Sequence, residues 1–203
     1  MYTLKSYIAS GFFARPQCYR RWCLAPSVAS LSMVIVRIGG MKLFLDTEFT
    51  GLHRDAKLIS LALVAETGEE LYVEMADGYG VEDCSDFVVE TVLPQFDLQR
   101  HGQTIAEAKA LLQKFFLSFD VTLQVCSDAP AWDWQFFCQL AQVDGRWPEN
   151  LLVEPTDLSE MCSGAGLTIE IENLLVEPPH HALEDARLMR DIYLQIEATP
   201  TSV

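Results

Sequence analysis

Two carboxylates one residue apart, Asp46 and Glu48, follow directly on an apolar run in the stretch MKLFLDTEFTGL, Met41 to Leu52. In a strand, the side-chain period of two points both toward one face. Like charges that close repel, and burial adds a larger penalty. Either the strand has ended and both acids are solvated, or a cation sits between them. Two more acids fall on the wrong side of an amphipathic helix. At 100° per residue, HALEDARLMRDIYLQIEA places Ala182, Ala186, Met189, Ile192, Tyr193 and Ile196 on one face, and Asp185 lies among them. In AWDWQFFCQLAQV the apolar face is Phe136, Phe137, Leu140 and Val143, and Asp133 sits within it. Each of these two acids also lies near the first turn of its helix, where a carboxylate can cap backbone amides or answer the helix dipole. All four taken together point instead to convergence on shared divalent cations. All-oxygen ligands select a hard ion, Mg²⁺ or Mn²⁺. Two such ions suit in-line attack on a phosphodiester, one activating a water and the other steadying the leaving oxygen.

A histidine near neutral pH can take a proton from the attacking water. His180 and His181 both precede Asp185 closely, and chemistry alone does not choose between them. Asp128 follows a strand directly, as a turn residue or as a group supporting the ligands. Glu69, Glu70, Glu82, Asp83 and Asp86 read as solvated surface, and His53 and His101 as loop residues without a role.

The elements that must position these groups are legible in outline. Strands are expected at Lys42–Asp46, Lys57–Ala65 and Glu70–Met75, with Thr67-Gly68 as the turn between the last two. Short connections make these three an antiparallel meander. Thr104 and Glu107 form a capping box ahead of a helix at about Ile105–Phe119. Val121–Cys126 is the fourth strand. A helix at Ala131–Val143 is stopped by Asp144-Gly145. Leu151–Val153 is expected as the fifth strand, and a last helix spans about His181–Ala198, entered through Pro178-Pro179. Strands alternating with helices after a meander give a mixed α/β sheet with flanking helices.

Charge and cysteines narrow the functional classes. The 203 residues carry a net charge of −15, unevenly spread. Residues 1–40 hold five basic residues and no acid, whereas the rest holds nine basic residues against 29 acids, a balance of −20. So acidic a body is a poor general binder of nucleic acid, because nonspecific affinity comes from neutralising phosphates. Any nucleic acid should therefore be handled through a small site and metal ions. The six cysteines form no CxxC pair, which implies a reducing compartment and no structural zinc. No stretch has the apolar length of a membrane-spanning helix. The basic segment 1–40 is expected to be a disordered extension or an upstream-start artefact, with an organellar transit peptide as the alternative. Residues 41–203 are expected to form the functional domain.

With these residues in view, the chain resembles a known family. D-T-E-F-T-G-L at 46–52, A-W-D-W-Q-F-F at 131–137 and H-H-A-L-E-D-A at 180–186 look like the three motifs of the DEDDh 3′–5′ exonucleases. The size is similar to that of the small stand-alone bacterial exoribonucleases of that superfamily. The second motif is the loosest, since S-D-A-P-A-W-D lacks the Asn that family members often carry before the Asp. The resemblance implies a ribonuclease-H-like fold, with a mixed five-stranded sheet of order 3-2-1-4-5 and strand 2 antiparallel. It implies Asp46, Glu48, Asp133 and Asp185 as ligands of two divalent ions, Mg²⁺ or Mn²⁺, and its H-x-x-x-x-D spacing selects His180 as the general base. Thr47, Phe49, Leu52 and Trp132 are the implied substrate contacts, with Leu52 and Phe49 against terminal bases. The implied substrate is the single-stranded 3′ end of RNA, with DNA as the alternative. A catalytically silent interaction module is the competing class. A homodimer using Trp132 and Trp134 as aromatic surface, a cytoplasmic location and no membrane partner complete the expectation.

Overall fold

A computed structural model describes residues 40–160 and 180–198. The expectations for residues 1–39 and for the Pro178-Pro179 lead-in lie outside those residues. The described strands are β1 (Met41–Phe49), β2 (Leu58–Ala65), β3 (Glu70–Met75), β4 (Gly102–Gln103), β5 (Leu123–Ser127) and β6 (Thr156–Asp157). The described helices are α1 (Leu98–His101), α2 (Ile105–Leu117), α3 (Pro130–Ala141) and α4 (Ala182–Ala198). The sheet runs β4-β3-β2-β1-β5-β6. β2 is antiparallel to both β1 and β3, whereas β1–β5, β5–β6 and β3–β4 are parallel. This is the expected mixed α/β order, with the two-residue β4 added at one edge.

Local chemistry explains the elements that position the site. Gly68 closes the β2–β3 turn at φ 105, a left-handed backbone that glycine adopts without a Cβ penalty. Thr104 caps α2: its Oγ1 accepts from the Glu107 amide and the Glu107 carboxylate accepts from the Thr104 amide. Asp144 and Gly145, both at positive φ, turn the chain after α3.

Period-two alternation then sorts the two faces. Leu43, Leu45, Leu61, Leu63, Val73 and Val125 pack against Leu112, Phe116, Phe137 and Leu140 of α2 and α3. Phe44, Ala62, Val64 and Cys126 face Ala182, Ala186, Met189 and Tyr193 of α4.

Three expectations change. β1 continues to Phe49 rather than ending at Asp46, because the β2 ladder carries on through Glu48↔Ser60. The outermost strand is Thr156–Asp157. Leu151 makes only an isolated bridge to Leu123, and Leu152 and Val153 are exposed. The segment 81–103, given no element from sequence, holds short turns of helix, α1 and β4.

Candidate metal centre

The carboxylates gather at the end of β1, where its β5 neighbour stops short. β5 pairs with β1 only from Met41↔Leu123 to Phe44↔Cys126, which leaves Leu45–Phe49 without a strand partner on that side among the described residues. Such a gap at the carboxyl ends of parallel strands is where open α/β sheets bind ligands. Asp46 and Glu48 follow Phe44 on the α4 face, half-buried and still within the ladder. So the opening alternative resolves in one direction: the strand has not ended, and the two acids share a face.

Asp185 reaches this end from the first turn of α4, and Asp133 from the first turn of α3. Oxygen atoms of Asp46, Glu48 and Asp185 lie within 4.8 Å of one another, and so do oxygen atoms of Asp46, Asp128 and Asp133. The two triads share Asp46. All four carboxylates singled out from sequence are thus brought together.

Asp128 joins them. Its position directly after β5, at the open end of a parallel pair, is the sequence signal that could have placed it there.

Asp133 is almost fully buried, and both its oxygens are held by hydroxyls. Thr47 Oγ1 donates to Oδ1 at 2.6 Å, and Ser127 Oγ donates to Oδ2. A carboxylate offers about four lone-pair sites, so these two bonds still leave room for a cation. Thr47, expected at the substrate, is itself buried, with its hydroxyl turned to Asp133. Asp185 behaves differently. Oδ2 accepts from the His181 amide at 3.1 Å, the capping role open to it at a helix start. Its Oδ1 is buried with no hydrogen-bond partner among the described residues.

Electrostatics follow from this crowding. Burial and then the neighbouring Asp133, Glu48, Asp185 and Asp128 charges raise the Asp46 carboxyl well above the usual carboxylate range. Burial, then Asp185 and Asp133, push Glu48 up to about 8. Burial raises Asp133 to about 7 with help from Asp128, against the lowering bonds from Ser127 and Thr47. Burial likewise raises Asp185 to about 7. Asp128 is raised, first by burial. Five acids that resist ionising together, with an orphaned buried oxygen among them, fit a hard divalent cation that neutralises them and takes up free lone pairs.

Around the cluster, Phe49 lies stacked between two rings of α3. Its centroid is 5.6 Å from Trp132 and 5.4 Å from Phe136. Leu52 is 56% exposed just beyond β1. His180 has φ 51, a left-handed backbone that His tolerates better than most residues. Its ring meets Phe87 edge-on at 4.9 Å, and its carbonyl accepts from Gln95 Nε2. The His181 ring rests on Tyr72 at 4.8 Å. Trp134 packs on Phe137 and Trp147, and both Trp132 and Trp134 are half-buried.

No family profile matches the chain, and no curated protein matches it. Among solved structures the chain is similar to a full-length 3′-exonuclease, with a TM-score of 0.53 and 16% identity, covering 77% of this chain and 60% of that one. It is also similar to cell-death related nuclease 4, CRN-4, with a TM-score of 0.51 and 14% identity, covering 77% of this chain and 63% of that one. The chain therefore spans less than two thirds of either structure. At these identities the likeness is one of fold, and the fold is ribonuclease-H-like.

Proposed function

We propose that this chain is a metal-dependent 3′–5′ exonuclease that removes nucleotides from single-stranded 3′ ends, preferring RNA to DNA. The observation that carries the reading is one aspartate, Asp46, shared by two triads of carboxylate oxygens at the open end of the sheet. Its fold is that of a solved 3′-exonuclease and of CRN-4, a nuclease, which supports the same class. The RNA preference rests on the likeness of the motifs to those of small stand-alone exoribonucleases.

Mg²⁺ or Mn²⁺, held by Asp46, Glu48 and Asp185 at one position and by Asp46, Asp128 and Asp133 at the other, would supply charge neutralisation and a nucleophilic water. The protein's own groups do the rest. Thr47 and Ser127 fix the Asp133 carboxylate, and the His181 amide fixes Asp185. Thr47 is therefore assigned to positioning, and Phe49, Leu52 and Trp132 to contact with the terminal bases. His180 takes the water's proton onto an imidazole nitrogen as the new P–O bond forms and the bond to the upstream 3′ oxygen breaks. That oxygen takes a proton from solvent water and leaves as the 3′-hydroxyl of the shortened strand, and a nucleoside 5′-monophosphate is released. Cys84 and Cys126 are free thiols, which supports a reducing, cytoplasmic location. Among the described residues no helix is long and apolar enough to cross a membrane.

The test uses a 5′-labelled single-stranded RNA and its DNA counterpart, each with Mg²⁺, Mn²⁺ or EDTA. The expected result is a ladder shortening from the 3′ end, absent in EDTA and in Asp133→Ala, faster on RNA, and slowed about 10²- to 10⁴-fold in His180→Ala. No cleavage by folded wild type would overturn the reading in favour of a silent module. Full activity in His180→Ala would move the base to His181.

A further inference from the structure

On the sheet face opposite α4, at the same end as the carboxylates, a cavity of about 400 Å³ opens between β2, β3, α2 and α3. Leu58, Ile105, Phe136 and Leu140 supply an apolar lining, and Lys57 and Lys109 supply cations. Cations are scarce here, with nine basic residues against 29 acids in residues 41–203. Lys57 Nζ is 2.6 Å from Asp83, whereas Lys109 makes no ion pair among the described residues. An apolar cavity with an uncompensated ammonium suits a ligand that joins a flat apolar group to an anion.

The cavity shares an element with the carboxylate cluster, since α3 supplies Phe136 and Leu140 to its lining and Asp133 to the cluster. Phe136 closes the ring stack Trp132–Phe49–Phe136, and Phe49 and Trp132 are the sequence neighbours of Glu48 and Asp133. Phe136 follows Asp133 by three residues on α3, a rise of about 4.5 Å along the axis. The stack therefore reaches from Trp132, next to Asp133 in sequence, to Phe136 in the cavity lining.

We propose that this cavity binds a nucleotide upstream of the scissile linkage, its base against Leu58, Ile105 and Phe136 and its phosphate at Lys109. The inference rests on the exonuclease reading and deepens it. The strand would cross the aromatic stack and present only its 3′ end to the acidic centre, so that one lysine holds what the −20 body would otherwise repel.

The test is binding of a fluorescent octanucleotide whose 3′-terminal linkage is a non-hydrolysable methylene phosphonate, with Mg²⁺ present, across a salt series. Lys109→Gln should weaken binding and lower the slope of log Kd against log salt by about 0.7, the share of one phosphate contact on a single strand. Ile105→Ala, at an exposed position, should weaken binding without changing that slope. Lys114→Gln, exposed on the same helix outside the cavity, should change neither. A dinucleotide of the same chemistry should bind Lys109→Gln as it binds wild type. Equal slopes for wild type and Lys109→Gln would overturn the proposal, as would failure of wild type to bind the octanucleotide. Hydrolysis of the p-nitrophenyl ester of a nucleoside 5′-monophosphate reads the metal centre separately. If wild type hydrolyses the ester while Lys109→Gln binds normally, the cavity assignment falls alone. If the slope drops but no ester or oligonucleotide is cut, the exonuclease reading falls alone.

Discussion

Toward α2 and α3, β1 presents Leu43, Leu45 and Thr47, and toward α4 it presents Phe44, Asp46 and Glu48. Both faces start apolar and fully buried. They diverge only beyond Phe44, where β5 no longer pairs. On the α2–α3 face the first polar side chain, Thr47, is spent inside the protein on Asp133. On the α4 face the polar side chains are acids with few donors, and Asp185 Oδ1 has none among the described residues. One strand thus builds a support on one side and a charged, unsatisfied centre on the other. The difference teaches where the fold satisfies its own polar groups and where it leaves carboxylates crowded together.

The comparison breaks most severely at Asp46, which serves both triads. Asp46→Asn should reduce cleavage to the background rate, read on the labelled strand, while circular dichroism stays native. Next comes the supporting face. Thr47→Val removes a hydroxyl that answers a buried carboxylate, so stability should fall by about 1–3 kcal/mol in urea unfolding. Activity should fall roughly 10- to 100-fold, as for groups that orient metal ligands.

The pH dependence of stability sharpens the contrast further. Glu48 rises from an ordinary 4.5 to about 8, so the native metal-free cluster keeps protons that the unfolded chain releases. Stability of the metal-free protein should therefore decline as pH rises from about 4.5 through about 8. Mn²⁺ should cancel the decline and Glu48→Gln should flatten it, both seen as Tm between those pH values. The smallest effect is expected at Arg187, which pairs with Glu70 and Glu184 on exposed surface. Arg187→Gln should cost under about 1 kcal/mol and leave activity unchanged, measured by the same unfolding and cleavage assays.

Much of this contrast was legible in the residues alone. Asp133 and Asp185 stood out because each broke the apolar stripe of its helix, and β3 and the α2 cap followed from alternation and a capping box. Other parts depended on tertiary partners. β1 reads past Asp46 only once β2 supplies the ladder to Glu48, since no local preference favours acids in a strand. Thr156–Asp157 is too short to carry a period, and the more apolar Leu151–Val153 outscored it. Asp128 stayed open between a turn residue and a supporting group because its neighbours in space, Asp46 and Asp133, come from a different strand and the following helix. The hydroxyl support of Asp133 by Thr47 spans 86 positions of sequence, beyond any local pattern.

The central claim is that the five acids form one centre for divalent cations hinged on Asp46. Calorimetric titration of the metal-free protein with Mn²⁺ tests it most directly. The account predicts saturable binding of two ions per chain, with proton release, and loss of both in Asp46→Asn. Absence of saturable binding, or two ions still bound by Asp46→Asn, would contradict it.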